Sequence, residues 1–497
     1  MTTHGPADAG IEVRAQVASL LDDAVARYRE TSTAEDLTLL RHRLDEPLRV
    51  AIAGKVKAGK STLLNALVGD RLAPTDAGEC TRIVTWYRNG LTYRVVLEPR
   101  SGPTVQVPFR RESGALQFDI GGHDPDDIRR LVVEWPCTTL RSMSLIDTPG
   151  IVSLATDVSQ RAIAFLAPQD RPAEADAVCY LMRHLHAADV HLLESFHDND
   201  ESNATPMNAI AVLSRADEIG VGRIDAMQTA QRIARRYRQH PQVRRLCQTV
   251  LPIAGLLAQA GATLRQDEHD AIAALAGSDR QVTNRLLRST DRFVAESDTL
   301  TVPSQVRSAL LDRLGLFGVR LGVSLVRVGT VRSSNELAAA FLEHSGIDAL
   351  REALTSQFRD RADLLKARSA LTALEHVLRA HPLPQTEDLA MQIERITSRT
   401  HAFIESRLLN ALRAGNLPLP DAWLPEAERL LGGFGHPPSV RLGLEANAGT
   451  TELHVAAADS ANRWRQRSEH PMNSPERANA ARYVVRSCEG VIAALGD

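Results

Sequence analysis

The chain has 497 residues, of which 43% are hydrophobic and 24% charged, and its formal net charge is −3. This composition is typical of a globular protein with two or three compact units and excludes a disordered chain. A net charge this close to zero gives no bulk attraction to nucleic acid or anionic lipid, so any such contact needs a local patch. The five cysteines lie far apart and form no C-x-x-C pair, which argues against a disulfide framework or a zinc ribbon and fits a reducing cytoplasm.

The sequence predicts neither a signal peptide nor a transmembrane helix. Residues 1–10 are small and polar and lack the apolar core of a secretory signal. The most apolar stretch, 310–331, is interrupted by charged residues, each of which costs about 2.5–3.5 kcal/mol at mid-bilayer. Three of these, Arg313, Arg320 and Arg327, recur every seven residues and would share a helix face, which either is solvated or salt-bridged or faces acidic lipid headgroups.

The first half of the chain has the pattern of an α/β domain. Apolar residues at helical spacing from Ile11 to Val25 predict a helix of about twenty residues before the first strand. Short β-rich runs then alternate with helical segments at 50–53, 83–87, 144–146, 177–181, 210–213 and 250–253. This order predicts a mostly parallel sheet with helices on both faces.

After Ile253 the pattern is helical to the end of the chain. An apolar stripe from Leu350 to Leu378 predicts one long helix that ends before Pro382, and Thr386 is the candidate cap of the next helix. We therefore expect N-terminal helices over 1–46, a nucleotide core over 47–257 with a helical extension over 258–348, and a helical bundle over 349–497.

The run 54–61, Gly-Lys-Val-Lys-Ala-Gly-Lys-Ser, matches the G-x-x-x-x-G-K-[ST] pattern of a phosphate-binding loop. A strand enters it and a helix leaves it, so backbone N–H groups and the helix N-terminus converge on the phosphates. Lys60 is expected on the β- and γ-phosphates, and the Ser61 hydroxyl is expected to ligate Mg²⁺. The alternative is a Gly-rich turn without a ligand. The predicted phosphate-binding residues are Gly54, Lys55, Val56, Lys57, Ala58, Gly59, Lys60, Ser61, Thr62 and Gly150.

A second element, Asp147-Thr148-Pro149-Gly150, directly follows the strand predicted at 144–146. Asp147 can hold Mg²⁺ through water, and the Gly150 N–H can meet the γ-phosphate. Alone, this tetrapeptide would indicate an ordinary turn; after a phosphate loop, it predicts a nucleotide contact. Between the two elements, Thr81 is the candidate switch threonine over Mg²⁺, and Thr75 is its competitor.

Base recognition is predicted at Ser214-Arg215-Ala216-Asp217, which follows a predicted strand. The Asp217 carboxylate can accept both N1–H and N2–H of guanine, a pair that adenine lacks, while the stem of Arg215 can lie along the base. After the next strand, Ala254 or Gly255 could supply a backbone N–H to the guanine oxygen. The S-R-x-D pattern by itself is common on protein surfaces, so its position after a strand carries the prediction.

Four histidines follow the strand at 177–181 and raise the hypothesis of a metal site: His184, His186, His191 and His197. Their spacings of two, five and six residues place no two of them at i and i+4 on a helix, and no H-E-x-x-H motif occurs. We favour a solvated loop over a metal site.

The ordered set of motifs resembles the bacterial dynamin-like GTPases, and among them the isoniazid-inducible, IniC-like type. The set comprises residues 56–69, 81–82, 147–150, 187–190, 214–217 and 346–351, and the resemblance covers nearly the whole chain. It implies a GTPase head over 47–348, a neck formed by the N-terminal helix with C-terminal helices, and a helical trunk. It also implies membrane remodelling or maintenance, and pairing through GTPase faces with a second copy or with a related dynamin-like protein.

Carried over residue by residue, the resemblance implies a catalytic role for Gly78, whose carbonyl would help to hold the attacking water, and for Thr81. Val56 replaces the water-orienting glutamine of dynamins, and Lys57 replaces the serine that coordinates a monovalent cation. We expect the Lys57 ammonium to supply that charge, so turnover should be indifferent to sodium or potassium. Ile151 is apolar where small signalling GTPases carry a glutamine, so slow intrinsic hydrolysis is expected.

Membrane contact is expected to use loops, since no paddle-like apolar hairpin stands out. Leu383, Trp423 and Met472 are the candidate contact residues, although each loop also suits a helix connection packed on the trunk. We expect a cytoplasmic protein, peripheral on the inner face of the plasma membrane, with guanine nucleotide as ligand and no nucleic-acid partner.

Two other functions compete with a membrane-associated GTPase. An RNA- or ribosome-assembly GTPase of the Era-like kind has similar phosphate motifs, but the chain lacks a compact basic RNA-binding module. A nucleotide-gated protein scaffold with little hydrolysis is the non-enzymatic alternative.

Overall fold

A central sheet and a large set of helices make up the computed structural model, which describes residues 6–73, 83–112, 115–120, 122–150, 174–186, 189–190, 193–194, 208–297, 299–384, 386–417 and 419–496. The strands are β1 Leu48–Gly54, β2 Thr85–Arg88, β3 Arg94–Pro99, β4 Val105–Gln106, β5 Phe109–Glu112, β6 Ala115–Phe118, β7 Ile128–Glu134, β8 Met143–Asp147, β9 Ala177–Met182, β10 Ala209–Ser214 and β11 Val250–Ile253.

Among the described residues, nine strands form one sheet in the order β11-β10-β9-β1-β8-β2-β7-β3-β4. The half from β11 to β8 is parallel throughout, as expected of an α/β nucleotide-binding domain. β2 runs antiparallel to β8 and parallel to β7, and β3 and β4 add antiparallel strands at the far edge. The predicted mostly parallel sheet is confirmed.

The central strands are buried along their whole length. Every residue of β1, β9 and β10 is buried, which explains why these strands appear in the sequence as continuous apolar runs rather than as alternating ones. By contrast, β4 at the edge is only two residues long and exposed, a common way to blunt a sheet edge. Burial on both faces therefore fixes three central strands of the sheet, including β1 and β10, which lead into the phosphate loop and the segment with Asp217.

The helices are α1 Pro6–Tyr28, α2 Ala34–Arg43, α3 Lys60–Val68, α4 Thr138–Ser142, α5 Ala226–Gln239, α6 Pro241–Leu246, α7 Gly255–Ala262, α8 Gln266–Gly277, α9 Arg280–Leu286, α10 Thr290–Val294, α11 Ser304–Val328, α12 Ser334–Ser345, α13 Ile347–Gln357, α14 Ala362–Ala380, α15 Glu387–Arg399, α16 His401–Arg413, α17 Leu424–Leu430, α18 Pro438–Leu442, α19 Thr450–Ser468 and α20 Pro475–Gly496. Past β11, the described residues contain helices and connections but no strand, as the periodicity predicts. Within the described ranges, no helix combines the length and apolar character that crossing a membrane requires.

The N-terminal helix packs against helices from the second half of the chain. The Tyr28 hydroxyl donates a hydrogen bond of 2.6 Å to the carbonyl of His381, and Arg27 forms an ion pair with Asp388. Lys366 in α14 donates to the carbonyl of Leu44, just after α2. The N-terminal helices thus contact α14, the start of α15 and the connection between them, while the predicted domain boundaries stay predictions.

The helix predicted along the stripe from Leu350 to Leu378 is interrupted in the structure. α13 ends at Gln357, a 3-10 turn covers Arg359–Arg361, and α14 resumes at Ala362. The buried Arg361 donates to the carbonyl of Gly432 across this break, a contact that an unbroken amphipathic pattern does not reveal. The end at Ala380 agrees with the prediction, but the Thr386 hydroxyl donates to the Leu383 carbonyl rather than capping α15.

The arginines that recur every seven residues in α11 bind protein groups. Arg313 pairs with Glu268 and donates to the Thr263 carbonyl. Arg320 donates to the carbonyls of Leu287, Val221 and Gly222, and Arg327 donates to those of Ala276, Leu275 and Ser278. The three arginines therefore bind neighbouring helices and loops of the same chain. This agrees with the expectation of a salt-bridged helix face and not with that of a face in contact with lipid.

Candidate nucleotide-binding site

The phosphate loop connects β1 to α3 and depends on two glycines. A Cβ on Gly54 would lie 2.5 Å from the carbonyl oxygen of Leu181, so only glycine lets β1 pass this close to β9. Gly59 has φ of 94° and serves as the N-cap of α3. Between them, Lys57 is also left-handed at φ of 61°, and the Ala58 N–H donates to the Lys55 carbonyl. The loop therefore folds back over the N-terminus of α3, where anions are stabilised.

Lys60, Ser61 and Asp147 meet at the start of this helix. Lys60 is only 9% exposed, and burial lowers its pKa although Asp147 acts in the opposite direction. The Ser61 hydroxyl donates to Oδ2 of Asp147 at 2.9 Å. Burial raises the pKa of Asp147 against the opposing effects of Lys60 and Ser61. The other oxygen of Asp147, Oδ1, is buried and has no hydrogen-bond partner among the described residues.

These groups fit a hard divalent cation. A buried carboxylate oxygen without a partner beside a hydroxyl is the oxygen donor set that Mg²⁺ prefers. The described residues contain no group of three or more His, Cys, Asp or Glu side chains that could hold a metal by themselves. An ion here would need oxygens from nucleotide and water to complete its coordination.

The segment Asp147–Gly150 lies directly against the phosphate loop, so the structure brings the two predicted elements together. The Thr148 hydroxyl donates to the Ile52 carbonyl at 3.0 Å, which ties the segment to β1. A Cβ on Gly150 would lie 2.6 Å from Cγ2 of Val56 and 3.2 Å from Nζ of Lys60. Glycine at this position is needed for the close approach.

A cavity of about 100 Å³ adjoins the phosphate loop and is lined by three of the residues predicted to bind the base, Arg215, Asp217 and Gly255. Asp217 is 6% exposed, and burial raises its pKa to about 6 against the lowering effects of its own backbone N–H and of Arg215. The cavity is lined by Ala58, Gly59, Thr62, Leu63, Leu181, Val212, Ser214, Arg215, Asp217, Glu218, Ile253, Gly255 and Leu256. Its walls come from α3, from the ends of β9, β10 and β11, and from the segments that follow β10 and β11.

The two residues after β11 differ in their availability. The Ala254 N–H donates to the Ser345 carbonyl at 2.9 Å, so it is not free for the guanine oxygen, and the prediction for Ala254 needs this correction. Gly255 lines the cavity as the first residue of α7. Arg215, which also lines the cavity, is left-handed at φ of 52° and pairs with Glu218 at 2.6 Å.

Comparison with known proteins identifies the family of this chain. A family model described as 50S ribosome-binding GTPase matches residues 49–213. The isoniazid-induced protein IniC of Mycobacterium tuberculosis is 44% identical over 451 residues, which cover 91% of this chain and 91% of IniC. This chain belongs to the IniC family of bacterial dynamin-like GTPases.

More distant relatives of this IniC-family chain match parts of it. The bacterial dynamin-like protein of Nostoc punctiforme is 32% identical over 130 residues, or 24% of this chain and 19% of that protein. A chain in the solved structure of an oligomerised bacterial dynamin pair aligns with 80% of this chain and with 79% of its own length. The two chains are 12% identical, and the TM-score is 0.33.

The IniC-family chain contains one anchor of the phosphate loop that the sequence analysis missed. Asp189 is buried and accepts hydrogen bonds from the Tyr180 hydroxyl at 2.7 Å and from Lys55 at 3.1 Å. It also accepts from the backbone N–H of His186. Asp189 belongs to the Ala-Ala-Asp-Val stretch that contributed to the family resemblance, which was the available signal, but no role followed from sequence alone.

Several predicted residues lie outside the described part of the chain: Gly78, Thr81, its competitor Thr75, Ile151, His191 and His197. Their roles stay predictions. The two other histidines, His184 and His186, stack edge to face with ring centroids 6.1 Å apart. Ala73 is the last described residue before the segment that contains Thr75, Gly78 and Thr81. Its backbone forms two hydrogen bonds with the side chain of Asn65.

The three candidate membrane residues have different surroundings. Trp423 packs edge to face on Trp464, with the Arg467 guanidinium over its ring. Leu383 is partly buried against the core that includes α1 and α14. Met472, between α19 and α20, is 82% exposed. Leu383 and Trp423 thus have packing roles, and Met472 is the most accessible of the three.

Proposed function

We propose that this IniC-family chain binds Mg²⁺ and GTP, hydrolyses GTP to GDP and phosphate, and couples this reaction to membrane association through its helical second half. The observation that carries the proposal is the placement of Lys60, Asp147 and Asp217 at one edge of the sheet. Asp147 is the last residue of β8, and Lys60 and Asp217 follow β1 and β10, so all three lie at the carboxyl ends of strands, where open α/β sheets bind ligands.

Each group has a chemical role in this proposal. Lys60 places a positive charge on the β- and γ-phosphates, and Ser61 and Asp147 hold the cation. When bound, Mg²⁺ neutralises charge on the phosphate oxygens. Asp217 accepts the two guanine N–H groups, which gives preference for GTP over ATP. Gly78 and Thr81 complete the site around the attacking water.

Hydrolysis is expected to be slow in the isolated chain. Val56, which is 46% exposed, offers no polar group to orient water, and Lys57 is an exposed cation in a left-handed turn of the same loop. We propose that Lys57 supplies the charge that dynamins take from a monovalent ion. Pairing of two GTPase faces, between copies or with a related dynamin-like protein, would complete the site.

Turnover of GTP and ATP by the wild type and by Lys60→Ala tests the enzyme. Lys366→Ala is a matched control, because Lys366 is similarly buried at 8% exposure but lies in α14 and binds backbone carbonyls. We expect GTP-selective turnover in the wild type and in the control and its loss in Lys60→Ala. Full activity in Lys60→Ala, or equal use of ATP, would refute the proposal.

Co-sedimentation with vesicles that contain anionic phosphatidylglycerol, beside retention on RNA, tests the partner. Met472→Ser should weaken vesicle binding, whereas Met391→Ser should not, since Met391 is 64% exposed but lies on the face of α15. Retention on RNA without vesicle binding would favour the ribosome-assembly alternative. Nucleotide binding without hydrolysis or lipid would favour a protein scaffold.

A further inference from the structure

Helix α11 is broken in its middle, at Gly315. This residue has φ of 64° and ψ of 171°, inside a helix that otherwise runs from Ser304 to Val328. Only glycine adopts this backbone region at little cost. Such an interruption in a long helix needs a local cause, and the neighbours of Gly315 supply one.

The break lies against two walls of the base cavity. A Cβ on Gly315 would lie 3.4 Å from Oδ2 of Asp217 and 3.8 Å from Cδ1 of Leu256. Asp217 and Leu256 both line the cavity. A methyl group at this position would therefore occupy space directly beside the carboxylate oxygen, while the backbone that carries it would have to leave its present conformation.

The same helix, α11, also binds Val221 and Gly222 in the loop that follows Asp217. Arg320 donates to the carbonyl of Val221 at 2.8 Å and to that of Gly222, and it anchors itself on the carbonyl of Leu287. A Cβ on Gly222 would lie 3.2 Å from the backbone nitrogen of Phe317, so loop and helix touch without a side chain between them.

We propose that Gly315 and Arg320 are positioning residues that set guanine specificity. Gly315 leaves the space in which the Asp217 carboxylate takes its orientation, and Arg320 fixes the loop behind it. Two N–H···O bonds from guanine require both carboxylate oxygens in place, because hydrogen bonds weaken steeply when misaligned. The inference rests on the proposed function, in which this cavity binds a guanine nucleotide.

The dissociation constants for GDP and IDP test the role of Gly315. Hypoxanthine lacks the 2-amino group, so a well-placed Asp217 should favour GDP by about tenfold or more. In Gly315→Ala this ratio should fall toward one. Gly329→Ala is the matched control, since Gly329 also has positive φ, of 79°, at the end of the same helix, and has no neighbour within 4 Å of a built Cβ. The control should lose stability without losing the ratio.

Arg320→Gln tests the same inference if Gly315→Ala does not fold. Its control is Arg327→Gln. Arg327 is two turns further along α11 and donates to carbonyls at the end of α8, not to the loop that follows Asp217. Arg320→Gln should raise KM for GTP with little change in kcat and lower the IDP-to-GDP ratio of dissociation constants. Arg327→Gln should leave that ratio unchanged.

The outcomes separate the inference from the function on which it rests. If the wild type prefers GDP over IDP and folded Gly315→Ala and Arg320→Gln keep that preference within twofold, the inference is overturned and the proposed function stands. Equal losses in the two controls would also overturn the inference. A wild type that binds no guanine nucleotide would overturn both.

Discussion

Buried charges in the nucleotide-binding half and in the helical half of the chain have different surroundings. In the first half, one buried oxygen of Asp147 lacks a hydrogen-bond partner among the described residues, and Asp217 is a buried residue whose pKa is raised by burial to about 6. In the second half, Glu405 is equally buried. There burial would raise its pKa, but the charge of Arg441 and a hydrogen bond from His401 outweigh it and hold the pKa of Glu405 well below its usual range.

Two buried arginines of the helical half, Arg413 and Arg441, are paired with acceptors. Arg413 donates to Glu428 at 2.8 Å, to Gln248 at 3.3 Å and to the Gly433 carbonyl at 2.9 Å. Arg441 binds both Glu405 and the Leu430 carbonyl. Buried polar groups are normally paired, so a charge whose hydrogen bonds are complete serves architecture, whereas one left incomplete points to a ligand. This contrast can be tested from both sides.

The largest expected effect is on stability in the helical half. Glu405→Gln leaves the buried Arg441 without its carboxylate, and breaking such a pair costs about 3–5 kcal/mol. Chemical denaturation should show this loss, while Glu445→Gln, at an exposed position, should change the free energy of unfolding little. An unchanged free energy of unfolding in Glu405→Gln would show that the pair is not structural.

Asp147→Asn should have the opposite profile. GTP turnover should fall on the order of a hundredfold, because the charge stabilisation lost with the cation is worth several kcal/mol. Stability without nucleotide should not fall, since burial already raises the pKa of this carboxyl and its charged form is disfavoured. Steady-state kinetics at varied Mg²⁺ and denaturation of the same preparation measure the two quantities. Unfolding of the variant with no specific loss of turnover would contradict the assignment.

A smaller effect is expected at Asp217. Its folded pKa of about 6 lies above the value of about 3.9 for an unfolded aspartate, so this group lowers the free energy of unfolding as pH rises from about 3.9 to about 6, and the loss stays constant above that range. Asp217→Asn should therefore stabilise the nucleotide-free protein by about 1–3 kcal/mol at pH 8 and leave it unchanged near pH 3. Guanine nucleotide binding by the wild type should weaken below pH 6 more steeply than in the variant. Equal stability of both proteins at pH 8 would argue against a costly carboxylate.

The smallest effect concerns Lys57. If its ammonium replaces a monovalent cation, exchanging sodium for potassium should leave wild-type turnover unchanged within about twofold, whereas Lys57→Ala should become slower and ion-dependent. Turnover in each salt at constant ionic strength measures this. A wild-type requirement for potassium or sodium would exclude the role.

The sequence was sufficient for features carried by local patterns. Continuous apolar runs located β1, β8, β9, β10 and β11, and the two phosphate elements followed from their position after strands. The strands β3 and β7 were not predicted, although Arg94–Pro99 and Ile128–Glu134 contain apolar runs of the same kind.

Features that depend on distant contacts were not accessible from the sequence. At the break before Ala362, Arg361 contacts Gly432, about seventy positions away in the sequence. The hydrogen-bond partners of Arg320 are likewise carbonyls of loops that are distant in sequence. Asp189 shows no motif by itself because its partners Lys55 and Tyr180 come from separate strands. The same holds for Gly315, whose need for glycine arises from Asp217 across the fold.

Stabilisation by Mg²⁺ and GDP tests the central claim most directly. Free energies of unfolding of the wild type, Lys60→Ala and Glu405→Gln are measured with and without the ligand pair. The wild type should gain about 2.7 kcal/mol at a hundred times the dissociation constant. Glu405→Gln should start lower and gain the same amount, and Lys60→Ala should gain little. No gain in the wild type, or an equal gain in Lys60→Ala, would contradict the account.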